Sequence, residues 1–211
     1  MKNKVLLVDD HVAILQGLQE ILAVDLPHLE FNTANSRTQA LELASKNSWD
    51  LAIVDLDLRD GRGGLELIRE LKDLDASASV LVYSMYSEEQ FGIRAIKAGA
   101  DGYLSKGDST EEIVRAVQTI LSGERYINPR LARVMADALT QPEAEAPHET
   151  LSDREFQILR ELASGNSTSK IANSLSLSPK TVSTYRTRVL DKLGLTSTAE
   201  LIRYALQHHL V

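Results

Sequence analysis

Leu51-Ala-Ile-Val-Asp55-Leu56 runs four apolar residues straight into an aspartate. Asp50 precedes the run and Asp60-Gly61 follows it, so turn formers bound it on both sides. That pattern predicts a short strand buried on both faces. Open α/β sheets bind ligands in the crevice outside the carboxyl ends of their strands, and Asp55 stands at such an end. A lone aspartate there usually does no more than end a strand. Its meaning depends on what neighbouring strands bring beside it.

Working outward, Lys4-Val-Leu-Leu-Val8 is a second buried strand, ending at Asp9-Asp10. Val12 to Ala23 carries Ile14, Leu15, Leu18, Ile21 and Leu22 at the helical period. Glu30 to Ala34 is a weaker strand, and Ser36 caps a helix through Leu41 and Leu43. Beyond Asp55, Gly64 to Leu74 is a helix with Leu65, Ile68 and Leu71 inward. Val80 to Ser84 is a strand, and Glu88 to Ala98 is a helix closed by Gly99. Asp101 to Ser105 is a short strand, and the capping box Ser109-Thr-Glu-Glu112 opens a helix to about Gly123. Five strands alternating with five helices predict an α/β fold, a doubly wound five-stranded parallel sheet of the flavodoxin-like kind.

That topology gathers Asp9, Asp10 and Asp55 at one rim, with Ser84 and Lys106 beside them. Three carboxylates in one crevice repel unless a cation joins them, and an oxygen-only set suits Mg²⁺. Lys106 offers a cation for a transferred phosphoryl group, and Ser84 a hydroxyl for one of its oxygens. Taken singly, a strand-end serine or lysine is usually just solvated; the set of five is what signifies.

Val8-Asp9-Asp10-His11, Asp55, Ser84-Met85-Tyr86 and Lys97-Ala-Gly-Ala-Asp-Gly-Tyr-Leu-Ser-Lys106 together resemble the receiver domain of two-component response regulators, over about residues 3–123. The resemblance implies that Asp55 is the phosphoacceptor. It implies that Asp9, Asp10 and Asp55 hold Mg²⁺ with the backbone carbonyl of Asp57. Lys106 then contacts the phosphoryl group, and Ser84 and Tyr103 form a switch pair in which Tyr103 turns inward as Ser84 moves. Two positions depart from the family pattern. Arg59 stands where relatives carry proline four residues after the phosphoacceptor, in a glycine-rich loop one residue longer than usual, and Val12 stands where proline often follows His11.

The net charge of −7 is unevenly spread. Residues 1–150 hold 15 Lys/Arg against 25 Asp/Glu, and residues 151–211 hold 8 against 5, which points to two domains with different partners. The chain has no cysteine, which excludes disulfides and thiolate metal sites and agrees with a cytoplasmic location. No apolar run approaches the ~20 residues of a membrane span. The reading divides the chain into a receiver (1–124), a linker (125–149) and a small all-α domain (150–211). The linker begins with a helix started by Asn128-Pro129 and striped by Leu131, Val134, Met135, Ala138 and Leu139. It ends in a flexible tether, 140–149, with two prolines and three acids.

In the basic tail, Leu151-Ser-Asp-Arg-Glu155 is a second capping box. A short helix follows at Thr168 to Leu175, and Ser178-Pro179 starts a longer one to Leu193, closed by Gly194. Ser197 to Glu200 opens a last helix. On the Pro179 helix, Val182, Tyr185, Val189 and Leu193 fall on one side; Lys180, Ser183, Thr184, Thr187 and Arg188 fall on the other. A face of short polar and basic side chains fits a major groove, although alone it equally describes a solvated helix. Residues Leu151 to Leu201 resemble the LuxR-type helix-turn-helix. The resemblance implies that Ser183, Thr184 and Thr187 face bases while Lys180, Thr181 and Arg188 lie near the phosphates. Thr168-Ser-Lys170 replaces the family's Asn-Lys-Glu, leaving Lys170 as the candidate for its phosphate contact.

The whole reading is a NarL/FixJ-type regulator rather than an enzyme. The two resemblances imply that a partner histidine kinase phosphorylates it and that it binds paired half-sites on double-stranded DNA as a homodimer when active. Two alternatives stand beside it. Asp55-Leu-Asp57 mimics the aspartate pair of haloacid-dehalogenase-type phosphatases, but on the third strand instead of the first. The other is a DNA binder whose receiver is never phosphorylated.

Overall fold

Strand β1 (Asn3–Val8) lies between β2 (Leu29–Ala34) and β3 (Leu51–Val54) in a parallel sheet that continues through β4 (Ser79–Ser84) and β5 (Gly102–Ser105), in the order β2-β1-β3-β4-β5. The computed structural model describes residues 3–58, 63–140, 147–175, 177–208 and 210–211. These fall into two compact units, divided between Thr140 and Gln141.

In the first unit, register decides what meets at the rim. Val8 of β1 pairs with Val54 of β3, so the residues that follow, Asp9 and Asp55, leave the sheet side by side. The Asp55 amide continues the ladder onto the Val8 carbonyl at 2.9 Å. The order of connections reverses between β1 and β3, which is where ligands bind in such sheets. All four residues of β3 are buried, as a central parallel strand requires.

Side chains alternate across the sheet. Val5, Leu7, Ile53, Leu81 and Leu104 form one core with Leu15, Leu18 and Leu22 of α1 (Val12–Asp25) and with Ile113, Val117 and Ile120 of α5 (Thr110–Leu121). Beneath the opposite face lie α2 (Arg37–Lys46), α3 (Gly64–Leu74) and α4 (Glu88–Ala98), which pack in sequence. Gly64 is indispensable at the start of α3. A Cβ there would stand 2.2 Å from the Asp55 carbonyl oxygen, so only glycine lets the helix begin against the end of β3. Residues 59–62 of the loop read as unusually long, including Arg59, lie outside the described residues.

Helix α6 (Pro129–Thr140) starts where the Asn128-Pro129 signal predicts, with the Leu131 amide donating to Asn128 Oδ1 at 2.8 Å. It belongs to the first unit, where it packs on α4 with Leu131 wholly buried. The capping box read at Ser109 is only half made. Ser109 Oγ accepts from the Glu112 amide, but Glu112 accepts instead from the Tyr126 hydroxyl at 2.8 Å. Burial and this carboxylate push the Tyr126 phenol up to about 12. Most of the tether read at 140–149 lies outside the described residues.

The second unit comprises a 3-10 turn (Pro147–Thr150) and helices α7 (Asp153–Ala163), α8 (Thr168–Ser174), α9 (Pro179–Leu193) and α10 (Thr198–Gln207). The Ser152/Glu155 capping box has both arms in place. Ser178 accepts from the Thr181 amide at 3.0 Å to start α9, and Gly194, at φ 65°, ends it. Helix α9 packs on α7 and α8, and α10 on α7.

Candidate functional site

Asp9, Asp55 and Lys106 converge at the rim. Lys106 follows β5, and its amide donates to the Ser84 carbonyl at 2.7 Å, which anchors the residue beside β4. Its ammonium donates to Asp9 Oδ2 at 2.6 Å and to Asp55 Oδ2 at 2.7 Å. All three side chains are nearly buried. Burial pulls the Lys106 pKa down, but the charge and hydrogen bonds of Asp55 and Asp9 outweigh it and leave the ammonium above its ordinary value. Three sequence-predicted residues are therefore brought into one ion-paired group.

Asp10 completes the acidic cluster, joined by a residue to which the sequence reading gave no role. His11 Nδ1 lies 2.7 Å from Asp10 Oδ1 and 3.2 Å from Asp9 Oδ1. One ligand atom from each of Asp9, Asp10, His11 and Asp55 lies within 4.8 Å of the others. Asp55 Oδ1 is buried with no hydrogen-bond partner among the described residues. An orphaned buried carboxylate oxygen is costly, and a hard divalent cation drawn to oxygen ligands fits the deficit. Asp57 is half-buried just beyond Asp55, and its carboxylate is not part of the cluster.

Ser84 and Tyr103 meet through Tyr86 rather than directly. The Tyr86 amide donates to Ser84 Oγ at 3.4 Å, and the Tyr103 hydroxyl donates to the Tyr86 carbonyl at 2.8 Å. Both side chains are fully buried. In this structure Tyr103 lies inward, held by its hydroxyl on the Tyr86 carbonyl. What Ser84 holds is the backbone at the entry to α4.

On α9, Val182 and Val189 are fully buried, while Lys180, Ser183, Thr184, Thr187 and Arg188 are exposed. Tyr185, assigned inward, is half-buried, and the Arg188 guanidinium lies over its ring at 5.7 Å. The hydroxyls of Ser183, Thr184 and Thr187 donate to the carbonyls of Pro179, Lys180 and Ser183. That leaves their oxygen lone pairs facing outward as acceptors. Thr181 is half-buried, with its hydroxyl bonded to Ser178 in the helix cap at 2.8 Å. Lys170 is exposed on α8 and donates to Asn166.

Several cations of this unit are structural, which a charge count does not reveal. Arg154 donates to the Leu175 carbonyl, Arg160 to Leu210, Arg186 to Thr198 Oγ1 and Lys192 to Glu155. The cations of this unit outside those contacts are Lys170, Lys180, Arg188 and Arg203, all exposed.

Comparison with known proteins agrees with this geometry. Residues 5–118 match the family described as the response regulator receiver domain, and residues 149–205 match the bacterial regulatory proteins of the luxR family. The response regulator GacA of Pseudomonas aeruginosa is 38% identical over 210 residues, 99% of this chain and 97% of its own length. The response regulator UvrY of Escherichia coli is 35% identical over 208 residues, covering 98% and 94%. A solved structure of the response regulator RcsB from Salmonella typhimurium shares the fold with a TM-score of 0.67 at 22% identity, covering 97% of each chain.

Proposed function

This chain belongs to the response regulators of two-component systems, joining a receiver domain to a LuxR-type DNA-binding domain, and from that membership we propose that phosphorylation of Asp55 governs how tightly the second unit holds DNA. The observation that carries the reading is the Lys106 ammonium, bonded at once to Asp9 and Asp55. The Asp55 carboxylate is the group that attacks. The phosphoryl group comes from a phosphohistidine of a partner kinase; the nitrogen–phosphorus bond breaks as a carboxylate oxygen–phosphorus bond forms, and the imidazole departs with the bonding pair. The Lys106 charge offsets the negative charge developing on the phosphoryl oxygens. Mg²⁺, held by Asp9, Asp10 and Asp55 with the Asp57 carbonyl, supplies further positive charge there when bound.

The product adds charge and acceptor oxygens beside Ser84. Ser84 Oγ turning toward them releases the Tyr86 amide, while Tyr103 keeps its hold on the Tyr86 carbonyl. The entry to α4 shifts between these two anchors. Converting a mostly-off population to mostly-on needs roughly 5 kcal/mol of differential interaction, within reach of a few charge-assisted hydrogen bonds.

On the output side, Lys170, Lys180, Thr181 and Arg188 lie along phosphates while Ser183, Thr184 and Thr187 read base edges. With their hydroxyl protons donated inward, these three suit the amino donors of adenine or cytosine. So few outward cations bind one half-site weakly, and a homodimer on paired half-sites gains by avidity. Among the described residues no helix is long and apolar enough to cross a membrane, and a cytoplasmic site of action follows from the partners proposed.

The test is incubation with phosphoramidate and Mg²⁺, followed by mass measurement and DNA footprinting. One phosphoryl group is expected on the wild-type protein and none on Asp55→Asn, with stronger protection only for the former. A footprint indifferent to the phosphodonor would favour the phosphorylation-independent regulator.

A further inference from the structure

Glu88 is the first residue of α4 and is 1% exposed, yet the phosphoryl chemistry gives it no role. Buried carboxylates need partners, and among the described residues Glu88 finds two in the segment entering α6. Asn128 Nδ2 donates to Glu88 Oε1 at 2.6 Å, and Arg130 Nε lies 3.2 Å from the same oxygen. Arg130 also pairs through its guanidinium with Asp108. Asp108 in turn folds the turn after β5, accepting from the Ser105 amide at 2.9 Å through its other oxygen. Ser105 is the immediate neighbour of Lys106, and Glu88 lies two residues from Tyr86.

One short stretch therefore clasps both loops that carry the phosphoryl-contacting side chains, the one after Ser84 and the one around Lys106. The clasp is seated as well as charged. Asn128 Oδ1 caps α6 through the Leu131 amide, and Leu131 nests over Gly92 of α4, where a Cβ would stand 2.7 Å from Leu131 Cδ1. An isolated surface ion pair contributes little. This one is anchored on a carboxylate that has no water to fall back on, which is where a pairing has consequence.

We propose that Asn128 and Arg130 are positioning residues of the phosphoacceptor site, fixing the loops of Ser84 and Lys106 relative to each other and handing their displacement to α6. The proposal rests on the reading of Asp55 as phosphoacceptor. It makes the coupling two-way, because a segment whose docking depends on the loops must bias the loops by the same free energy. Loosening α6 then alters phosphoryl uptake at a pocket it does not touch, and phosphorylation loosens or tightens α6.

Arg130→Met in the full-length chain tests this. Its side chain is half exposed, so the fold survives, and methionine keeps the apolar stem. Arg133→Met is the control, since Arg133 lies on the same helix and its ion pair is with Asp137, one turn along α6. Arg130→Lys, which reaches one carboxylate at a time, is the conservative variant. Phosphoramidate with Mg²⁺ is the probe, read by mass, alongside amide exchange without phosphodonor.

We expect Arg130→Met to change the rate of phosphoryl uptake by about fivefold or more. The ratio of DNA affinities with and without phosphorylation should fall toward one, with unphosphorylated DNA affinity unchanged. Faster amide exchange should appear both at 86–90 and at 105–109. Arg130→Lys should lie between, and Arg133→Met should match wild type. The proposal is overturned if Arg130→Met takes up phosphate and switches like the control, or if exchange rises in α6 alone. Absence of phosphoryl uptake by the wild-type chain would remove this proposal together with the reading of Asp55, whereas normal uptake with an inert Arg130→Met removes this one only.

Discussion

Around Asp55 three carboxylates crowd one ammonium nearly out of contact with water, with the exposed His11 imidazole at their edge, whereas across the outer face of α9 cations stand in solvent beside hydroxyls whose internal hydrogen bonds are made. The first region is short of positive charge, and its deficit identifies what it binds. The second is self-sufficient without DNA, so nothing in its local energetics requires a partner. A site built from buried charge is therefore legible from its own strain, while a groove-reading face is legible mainly from its surroundings, here the packing of α9 on α7 and α8. Substitutions in the two regions should behave in correspondingly different ways.

The largest effect is expected from Lys106→Met. It removes the cation facing Asp9 and Asp55, and loss of one transition-state donor of this kind costs roughly 10²–10³ in rate. Breaking a buried pair from one side also destabilises, by about 3 kcal/mol or more without Mg²⁺. Phosphoryl uptake followed by mass and a urea unfolding curve measure the two. Normal uptake by this variant would break the comparison, because the buried ammonium would then be merely structural.

Asp10→Asn should act in the opposite direction on stability. Like charges about 5 Å apart repel by a few kcal/mol at an effective dielectric near 20. The variant should gain about 1 kcal/mol in metal-free buffer. Wild type should gain about 2.7 kcal/mol when Mg²⁺ reaches a hundred times its dissociation constant, and the variant should lose most of that gain. Thermal melts with EDTA and with Mg²⁺ check both signs. Equal stabilisation of both proteins by Mg²⁺ would place the ion elsewhere.

On α9, Arg188→Ala should leave thermal stability within about 0.5 kcal/mol, as exposed substitutions do. DNA affinity should fall several-fold on every sequence, and the salt dependence should flatten by about one unit of slope. Titrations at several salt concentrations supply the measurement. A change confined to particular base positions would instead make Arg188 a reader of bases and sharpen the division of roles along the helix.

Much of this arrangement was open to reading from residues alone, for a physical reason. Parallel strands buried on both faces advertise themselves as unbroken apolar runs, and topology then fixes which ends are neighbours, so Asp9, Asp55 and Lys106 followed without coordinates. The Glu88 clasp did not, because its members lie 40 residues apart in sequence and each alone looks like a helix-terminus charge. Gly64 was visible as a glycine, but its reason, a carbonyl 2.2 Å from a Cβ position, needs the end of β3 in place. The inward setting of Tyr103 depends on a bond to a backbone carbonyl, on which side-chain identity is silent. In the second unit the count of basic residues overstated what faces outward, since the pattern of charges does not say which arginines reach inward to carbonyls.

The smallest effect concerns the pair that most resembles the Asp55 site while serving only the fold. Glu155 is nearly buried in the second unit and accepts from Lys192 at 2.7 Å and from the Ser152 amide at 2.8 Å. Burial pushes its carboxyl up, but the Lys192 and Ser152 bonds prevail and hold it below the usual carboxylate value. A group depressed in the folded state contributes stability that is fully present above its unfolded pKa and is lost as pH falls through the folded one. Acidification from neutral to below about pH 4.5 should therefore loosen α7 and α9 together, read as faster amide exchange at Leu159 and Val189. Lys192→Met leaves burial less opposed, so the same loosening should begin at higher pH. Because Lys192 is partly exposed, the cost at neutral pH is discounted to about 1 kcal/mol. Mg²⁺ should change none of this, since the pair has no carboxylate excess to offer it. A Mg²⁺-dependent shift in the exchange of these amides would mean that the two kinds of buried charge are not as separate as their compositions imply.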